Sequence, residues 1–154
     1  GEIVLLPDAV YYDTLHHYLA QAERRIEIAM FIFKTTNSPQ NRPALILKEL
    51  IAAARRGVAV KVLLERSGYD DGLNRENDKV AKVLRRNGVT VIFDEPQTTT
   101  HSKLVVIDNR FCFVGSHNLT HSALARNHEF SLLIDHRVLA DELSTYINGL
   151  MAGK

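Results

Sequence analysis

The residues equipped for chemistry are concentrated between His101 and Glu129. His101 and Lys103 stand two apart at the head of an apolar run, Leu104-Val105-Val106-Ile107, and residues two apart on a strand share a face. Ser116 and Asn118 in Gly115-Ser116-His117-Asn118 share a face likewise if that segment stays extended. Asn127 and Glu129 form a third such pair at the start of a further apolar run. An imidazole serves near neutral pH as a nucleophile or an acid–base group. Lysine brings positive charge to the non-bridging oxygens of a phosphodiester, and Ser and Asn add neutral hydrogen bonds. Gly115 lets the backbone approach closely. A carboxylate on imidazole Nδ1–H fixes the tautomer and stabilises the developing imidazolium. Glu129 is the candidate for that role beside His101. Asp108 comes seven positions after His101, which is opposite parity on a regular strand. Its expected role is therefore structural, at the tight turn Asp108-Asn109-Arg110, and not on the ligand of His101.

The pattern His101-x-Lys103-x4-Asp108-x6-Gly115-Ser116-x-Asn118 resembles the HKD motif of the phospholipase D superfamily, six positions at fixed spacing. The later Asn127-x-Glu129 resembles the continuation of that motif. The likeness extends to most of the chain. An apolar strand over 26–33, then Arg56-Gly57-Val58 before a second strand, then the motif, are similar to the small bacterial single-motif nucleases. The polar loop 34–42 departs from them by its length, which leaves substrate access open.

The resemblance implies phosphodiester hydrolysis through a phosphohistidine, with no metal and no cofactor. It makes His101, Lys103 and Glu129 catalytic and places Lys103, Ser116 and Asn118 on the phosphate. Asp108, Gly115 and Asn127 are then structural members of the motif. The family uses two motifs per active site, one histidine attacking and the other acting as general acid. One motif is present here, so the resemblance implies a homodimer in which the two copies of His101 meet across an isologous interface. The expected substrate is DNA, with RNA as a further polymer, cut without sequence specificity because no base-reading module fits in the length. Two alternatives stand beside it. Hydrolysis of a phospholipid or cardiolipin is disfavoured by the polar loops 34–42 and 67–77. A non-catalytic nucleic-acid-binding module is disfavoured by the completeness of the motif.

The elements that must position these residues read as alternating helices and strands. Helical spacing covers 12–25, with Leu15, Tyr18, Leu19 and Ala22 on one stripe. Pro43 opens a helix that runs over 44–56 and stops at Gly57. Strands are expected over 26–33, 58–64 and 89–94, with a long loop over 65–77 and a helix over 77–87. A hairpin follows, 103–107 with 111–114, then a polar stretch over 115–122 that leads into a short helical piece, a strand over 129–134 and a helix over 138–150. The expected fold is α/β, a mixed and mostly parallel sheet with helices on both faces, in one domain over 1–154.

Composition sets the outer limits. At 45% apolar and 24% charged residues, the 154-residue chain is long enough to bury a core without staples. A formal charge of +1 does not by itself announce a nucleic-acid binder. The lone Cys112 excludes an internal disulfide and reads as a small buried hydrophobe. No apolar stretch reaches the ~18 residues of a membrane span. The chain opens on Gly1, not Met, so an export signal or membrane anchor before it stays open and the compartment is undetermined. The Arg pairs 24–25, 55–56 and 85–86 read as helix C-terminal cations. His117 and His121, four apart, lack an acidic helper and are not assigned to a metal. Phe31 and Phe33 read as core, and Tyr69, in a polar loop, as a candidate substrate rim.

Overall fold

The chain alternates elements in the order β1 (Glu2–Pro7), α1 (Val10–Ala20), β2 (Arg25–Met30), α2 (Arg42–Arg55), β3 (Ala59–Leu64), α3 (Asp71–Arg86) and β4 (Thr90–Phe93). It then runs β5 (Lys103–Ile107), β6 (Phe111–Gly115), α4 (His121–Ala125), β7 (Phe130–Asp135) and α5 (Arg137–Met151). This computed structural model describes residues 1–153, and Lys154, the last residue of the expected domain, lies outside them.

The seven strands form one sheet in the order β1-β7-β6-β5-β2-β3-β4. The sheet is mixed, as expected, but the expectation of mostly parallel pairing is corrected. Only β2–β3 and β3–β4 run parallel; β5 lies antiparallel on β2, and β6, β7 and β1 continue antiparallel. The reason is the connections. Parallel neighbours need a long crossover, which α2 and α3 supply, whereas β5 and β6 are joined by a three-residue turn. Asp108 and Asn109 take positive φ there, 54° and 51°, the conformation that short Asp and Asn side chains tolerate in a hairpin turn.

Helices cover both faces. Val105, Ile107 and Phe113 pack with α1, α2 and α3 through Leu15, Leu19, Leu50 and Leu84. On the other face Ala29, Leu63, Leu104, Val106 and Cys112 pack under Ala140 and Ile147 of α5. Strict alternation along β5 serves both layers. Cys112 is fully buried and its thiol is pushed up to about 11 by that burial, so it behaves as the expected small hydrophobe.

Three boundaries differ from the sequence reading. Helix α1 stops at Ala20 and the chain turns before β2. The expected loop over 65–77 is shortened, because α3 begins at Asp71, capped by the Asp70 carboxylate accepting from Leu73 N at 3.0 Å. Its first turns are polar but place Leu73 and Asn77 on the buried face. Strand β1, which periodicity did not announce, pairs along the outer edge of β7 with Leu6 as its one buried residue. Arg55 and the pair 85–86 lie in the last turns of α2 and α3, and the Arg56 guanidinium donates to the Leu19 and Ala22 carbonyls at and just past the end of α1. The pair 24–25 is not at a helix end, because α1 stops at Ala20 and Arg25 opens β2.

Candidate active site

Lys103 opens β5 opposite Met30, the last residue of β2, which itself lies beside Leu64, the last residue of β3. The motif therefore sits beyond the C-terminal ends of the parallel strands, where ligands of open α/β sheets gather. Strand β6 ends at Gly115 and β7 begins at Phe130 at this same end. Sheet topology alone thus brings His101, Lys103, Ser116, Asn118 and Glu129 to one rim.

His101 is exposed, but the residue before it is clamped. Thr100 N donates to Glu65 Oε1 at 2.9 Å, and the Thr100 hydroxyl donates to Asp94 Oδ2. All three side chains are buried. Asn77, fully buried on α3, donates to the carbonyls of Phe31 and Glu65, both at 3.0 Å, and accepts from Phe33 N at 2.9 Å. These bonds fasten the ends of β2 and β3 beneath His101. Lys103 Nζ lies 2.9 Å from His101 Nδ1, so the shared face expected of this pair is present. Burial pulls the Lys103 ammonium below its ordinary value, and the Glu129 charge partly opposes the shift. The Phe31 ring lies 4.9 Å from the His101 ring, with Lys103 Nζ 5.6 Å from its centre. Phe31 is therefore a wall of the site, which corrects its assignment to the core, whereas Phe33 is fully buried.

The expected contact of Glu129 with His101 within one chain is replaced by another. Ser116 Oγ donates to Glu129 Oε1 at 2.6 Å, and Asn127 Nδ2 donates to Oε2 at 3.0 Å. Ser116 Oγ also accepts from Phe130 N at 3.0 Å, which fixes the hydroxyl between β6 and β7. Among the described residues the Asn118 side chain has no hydrogen-bond partner, and its Oδ1 is buried. Gly115 is required by close approach: a Cβ there would collide with Ser131 and the Phe130 carbonyl on β7.

Asp8 and His117 support Glu129 from below. Asp8 Oδ1 accepts from Glu129 N at 3.0 Å and faces His128 Nδ1. These bonds hold its carboxyl below the ordinary value. His117 is fully buried and stacked on Tyr11, with ring centres 4.2 Å apart. Its Nε2 donates to the Asp8 carbonyl at 2.7 Å, and its Nδ1 accepts from Ser131 Oγ at 2.6 Å. Burial pushes its pKa down, so it stays neutral. His121 is occupied elsewhere, its Nδ1 accepting from Arg42 N at 3.2 Å. Among the described residues no three metal-ligating side chains gather.

Asp108 lies apart from this rim. The Asp108 carboxylate, at the far end of β5, accepts from the backbone N–H groups of Glu23, Arg24 and Arg25. Tyr69 is 90% exposed in the loop before α3. Sequence reasoning missed Thr100, Glu65, Asp94, Asn77 and Asp8. Glu65 and Asp94 had one visible signal, a carboxylate immediately after an apolar run, as in Leu63-Leu64-Glu65 and Ile92-Phe93-Asp94.

Comparison with known proteins bears on the family and the fold. The family model described as cardiolipin synthase, PLD-like domain, matches residues 15–151. A phospholipase D of Rickettsia felis is 34% identical over 106 residues, which is 68% of this chain and 50% of that protein. The chain spans about half the length of the curated relatives it matches. Among solved structures, Nuc of Salmonella typhimurium, a phospholipase D family member, superposes with a TM-score of 0.80 at 21% identity, covering 97% of this chain and 94% of the other. NucT from Helicobacter pylori gives 0.76 at 16% identity over the same shares. At those identities the structural likeness shows the fold. No helix of the described residues is long and apolar enough to cross a membrane.

Proposed function

The chain belongs to the phospholipase D-like family of phosphodiesterase-type enzymes, and from that premise we propose that it is an endonuclease, cutting DNA and also RNA at a site shared by two copies. The observation that carries the reading is the exposed His101–Lys103 pair, 2.9 Å apart at the sheet end, with no second imidazole bonded to it among the described residues. His117 is buried and doubly bonded, His121 is bonded to α2, and His128 is bonded to Asp8.

The chemistry then needs two histidines on opposite sides of one phosphorus. The imidazole of one His101 attacks phosphorus while the leaving oxygen takes a proton from the His101 of the second copy. That second imidazole next removes a proton from water, whose oxygen attacks phosphorus, breaks the P–N bond and releases the first imidazole. Lys103 and Asn118 meet the developing charge on the non-bridging oxygens. Ser116 acts through Glu129, because its hydroxyl hydrogen is already committed there. Asn127 and Ser116 hold the Glu129 carboxylate, and Asp8 its backbone N–H, so that the carboxylate steadies an imidazole of the pair. A two-fold axis through the rim supplies both copies of the motif with one self-complementary surface.

A lipid phosphodiester is the second reading, favoured by one observation. Ile3, Leu5 and Phe130 are 65%, 60% and 53% exposed and share the α5 face of β1 and β7, next to Ser116. Plasmid, single-stranded DNA, RNA and cardiolipin-containing vesicles, incubated in parallel in EDTA, separate the two. Cleavage of the polymers with intact vesicles is the expected result. Cleaved vesicles with intact polymers would replace the nuclease reading by the lipid one.

A further inference from the structure

The polar loop over 34–41 that distinguishes this sequence forms one wall of a cleft of about 550 Å³, and the other wall is α4. The cleft starts where the catalytic rim ends. Ile32 at its floor follows Phe31, the ring against His101, and Thr120 lies two residues past Asn118. These two segments run side by side: Leu119 N donates to the Ile32 carbonyl at 3.2 Å, and Lys34 N donates to the Leu119 carbonyl at 2.9 Å. Two extended residues cover about 7 Å, on the order of one nucleotide step from the scissile phosphate.

The lining is suited to an anion. Lys34 and Arg126 both face it, and neither side chain has an ion pair or hydrogen bond among the described residues. Thr36, Ser38 and Ser122 supply hydroxyls, and among the described residues no carboxylate lines the cleft. The cleft at the opposite end of the sheet differs in this respect: it contains Glu23 and Asp108, and its Arg110 is paired with Asp135 at 2.7 Å. The walls are also fixed in advance. Buried Asn41 accepts from Thr36 N at 3.2 Å and from Ala44 N at 3.0 Å, Lys79 Nζ donates to the Thr35 carbonyl at 3.1 Å, and Arg42 donates to the Leu124 carbonyl at 2.6 Å. A preformed wall loses little entropy when ligand arrives.

We propose that this cleft holds a neighbouring phosphate of the same polymer strand, through Lys34 and Arg126, and so makes the enzyme select an oligonucleotide over an isolated phosphodiester. The proposal rests on the nuclease reading and narrows it. A polymer repeats its phosphate at every step, so two adjacent sites act on one substrate with a shared loss of freedom. Each contact of this kind adds a salt-dependent increment of about 0.7 to the log–log slope for a single strand.

The test compares kcat/KM on a six-nucleotide single-stranded DNA with kcat/KM on bis(4-nitrophenyl) phosphate, which has one phosphate only. The expected result for the Lys34→Ala/Arg126→Ala double variant is an oligonucleotide-to-diester ratio at least tenfold lower, with a shallower salt dependence on the oligonucleotide. Lys34→Arg/Arg126→Lys, which keeps the charges, should hold the ratio within about threefold. Both positions are exposed, and thermal unfolding of each variant checks that the fold is kept. A ratio unchanged in the double variant, with wild type cutting both substrates, overturns the subsite and leaves the nuclease reading standing. Wild type that cuts the small diester and not the oligonucleotide, or neither, overturns the nuclease reading and the subsite with it.

Discussion

Replacing Asp108 with Asn separates the motif residue that holds the sheet from those that act on substrate. In the native chain its carboxylate accepts from Glu23 N at 3.0 Å, Arg24 N at 2.7 Å and Arg25 N at 3.1 Å, closing the start of β2 onto the β5–β6 turn. Hydrogen bonds to a charged acceptor contribute about 1.5–3 kcal/mol each and do not simply add. Asn keeps one acceptor oxygen and turns an NH2 group toward N–H donors, but it tolerates the φ of 54°. The backbone donors lie near the surface, where water replaces part of the loss. The net cost is about 2–3 kcal/mol for Asn, and Asp108→Ala adds about 1 kcal/mol of left-handed strain. With a urea slope of about 1–3 kcal/mol per molar, the unfolding midpoint falls by roughly 1 M or more. The chemistry should be spared for a reason of distance. Five residue-to-residue steps along the strand lead from Lys103 to Asp108, about 17 Å at ~3.3 Å each, beyond the ~8–10 Å screening length of physiological salt. Folded Asp108→Asn should therefore cleave bis(4-nitrophenyl) phosphate within about threefold of wild type. An Asn variant with an unchanged urea midpoint and no activity would refute this division of the motif.

Mixing wild-type and His101→Ala subunits at fixed total protein should lower activity as the square of the wild-type fraction, because a dimer with one histidine lacks either nucleophile or acid; a linear decline would end the shared-site mechanism. Lys103→Ala and Glu129→Ala should each slow turnover about a hundred- to a thousandfold, measured as kcat on folded protein. Gly115→Ala should destabilise the fold by about 1–3 kcal/mol and lower activity too, since its Cβ collides with Ser131 and the Phe130 carbonyl and pushes Ser116 from Glu129. Burial lowers His117 below 6.5. As pH falls from 6.5 through that lowered value, the unfolded chain takes a proton that the folded one resists, so stability present above pH 6.5 is lost. The urea midpoint should drop between pH 7 and pH 5, and His117→Asn should flatten that drop.

Much of this protein was legible in one dimension. The alternation of Leu104, Val105, Val106 and Ile107, followed by Asp108-Asn109-Arg110, specified a hairpin, because period-two burial and left-handed-tolerant turn residues are local properties. The same period put His101 beside Lys103 and excluded Asp108 from their ligand, and the structure has these arrangements. Local pattern could not say which strands become neighbours. Strand β1 buries only Leu6, and its pairing is decided by the edge that β7 offers, so its sequence has no alternation to read. Helix α3 starts on polar residues because a cap and one buried stripe suffice once β3 and β4 are in place. The support of the site is still less local. Glu65 meets Thr100 across 35 residues, and Asp8 meets His117 across 109. A buried donor must find an acceptor wherever the fold brings one, and chain spacing does not encode that meeting. The residues proposed for the chemistry were legible in the sequence. Which of them touch, and what holds them still, was decided only when the sheet closed.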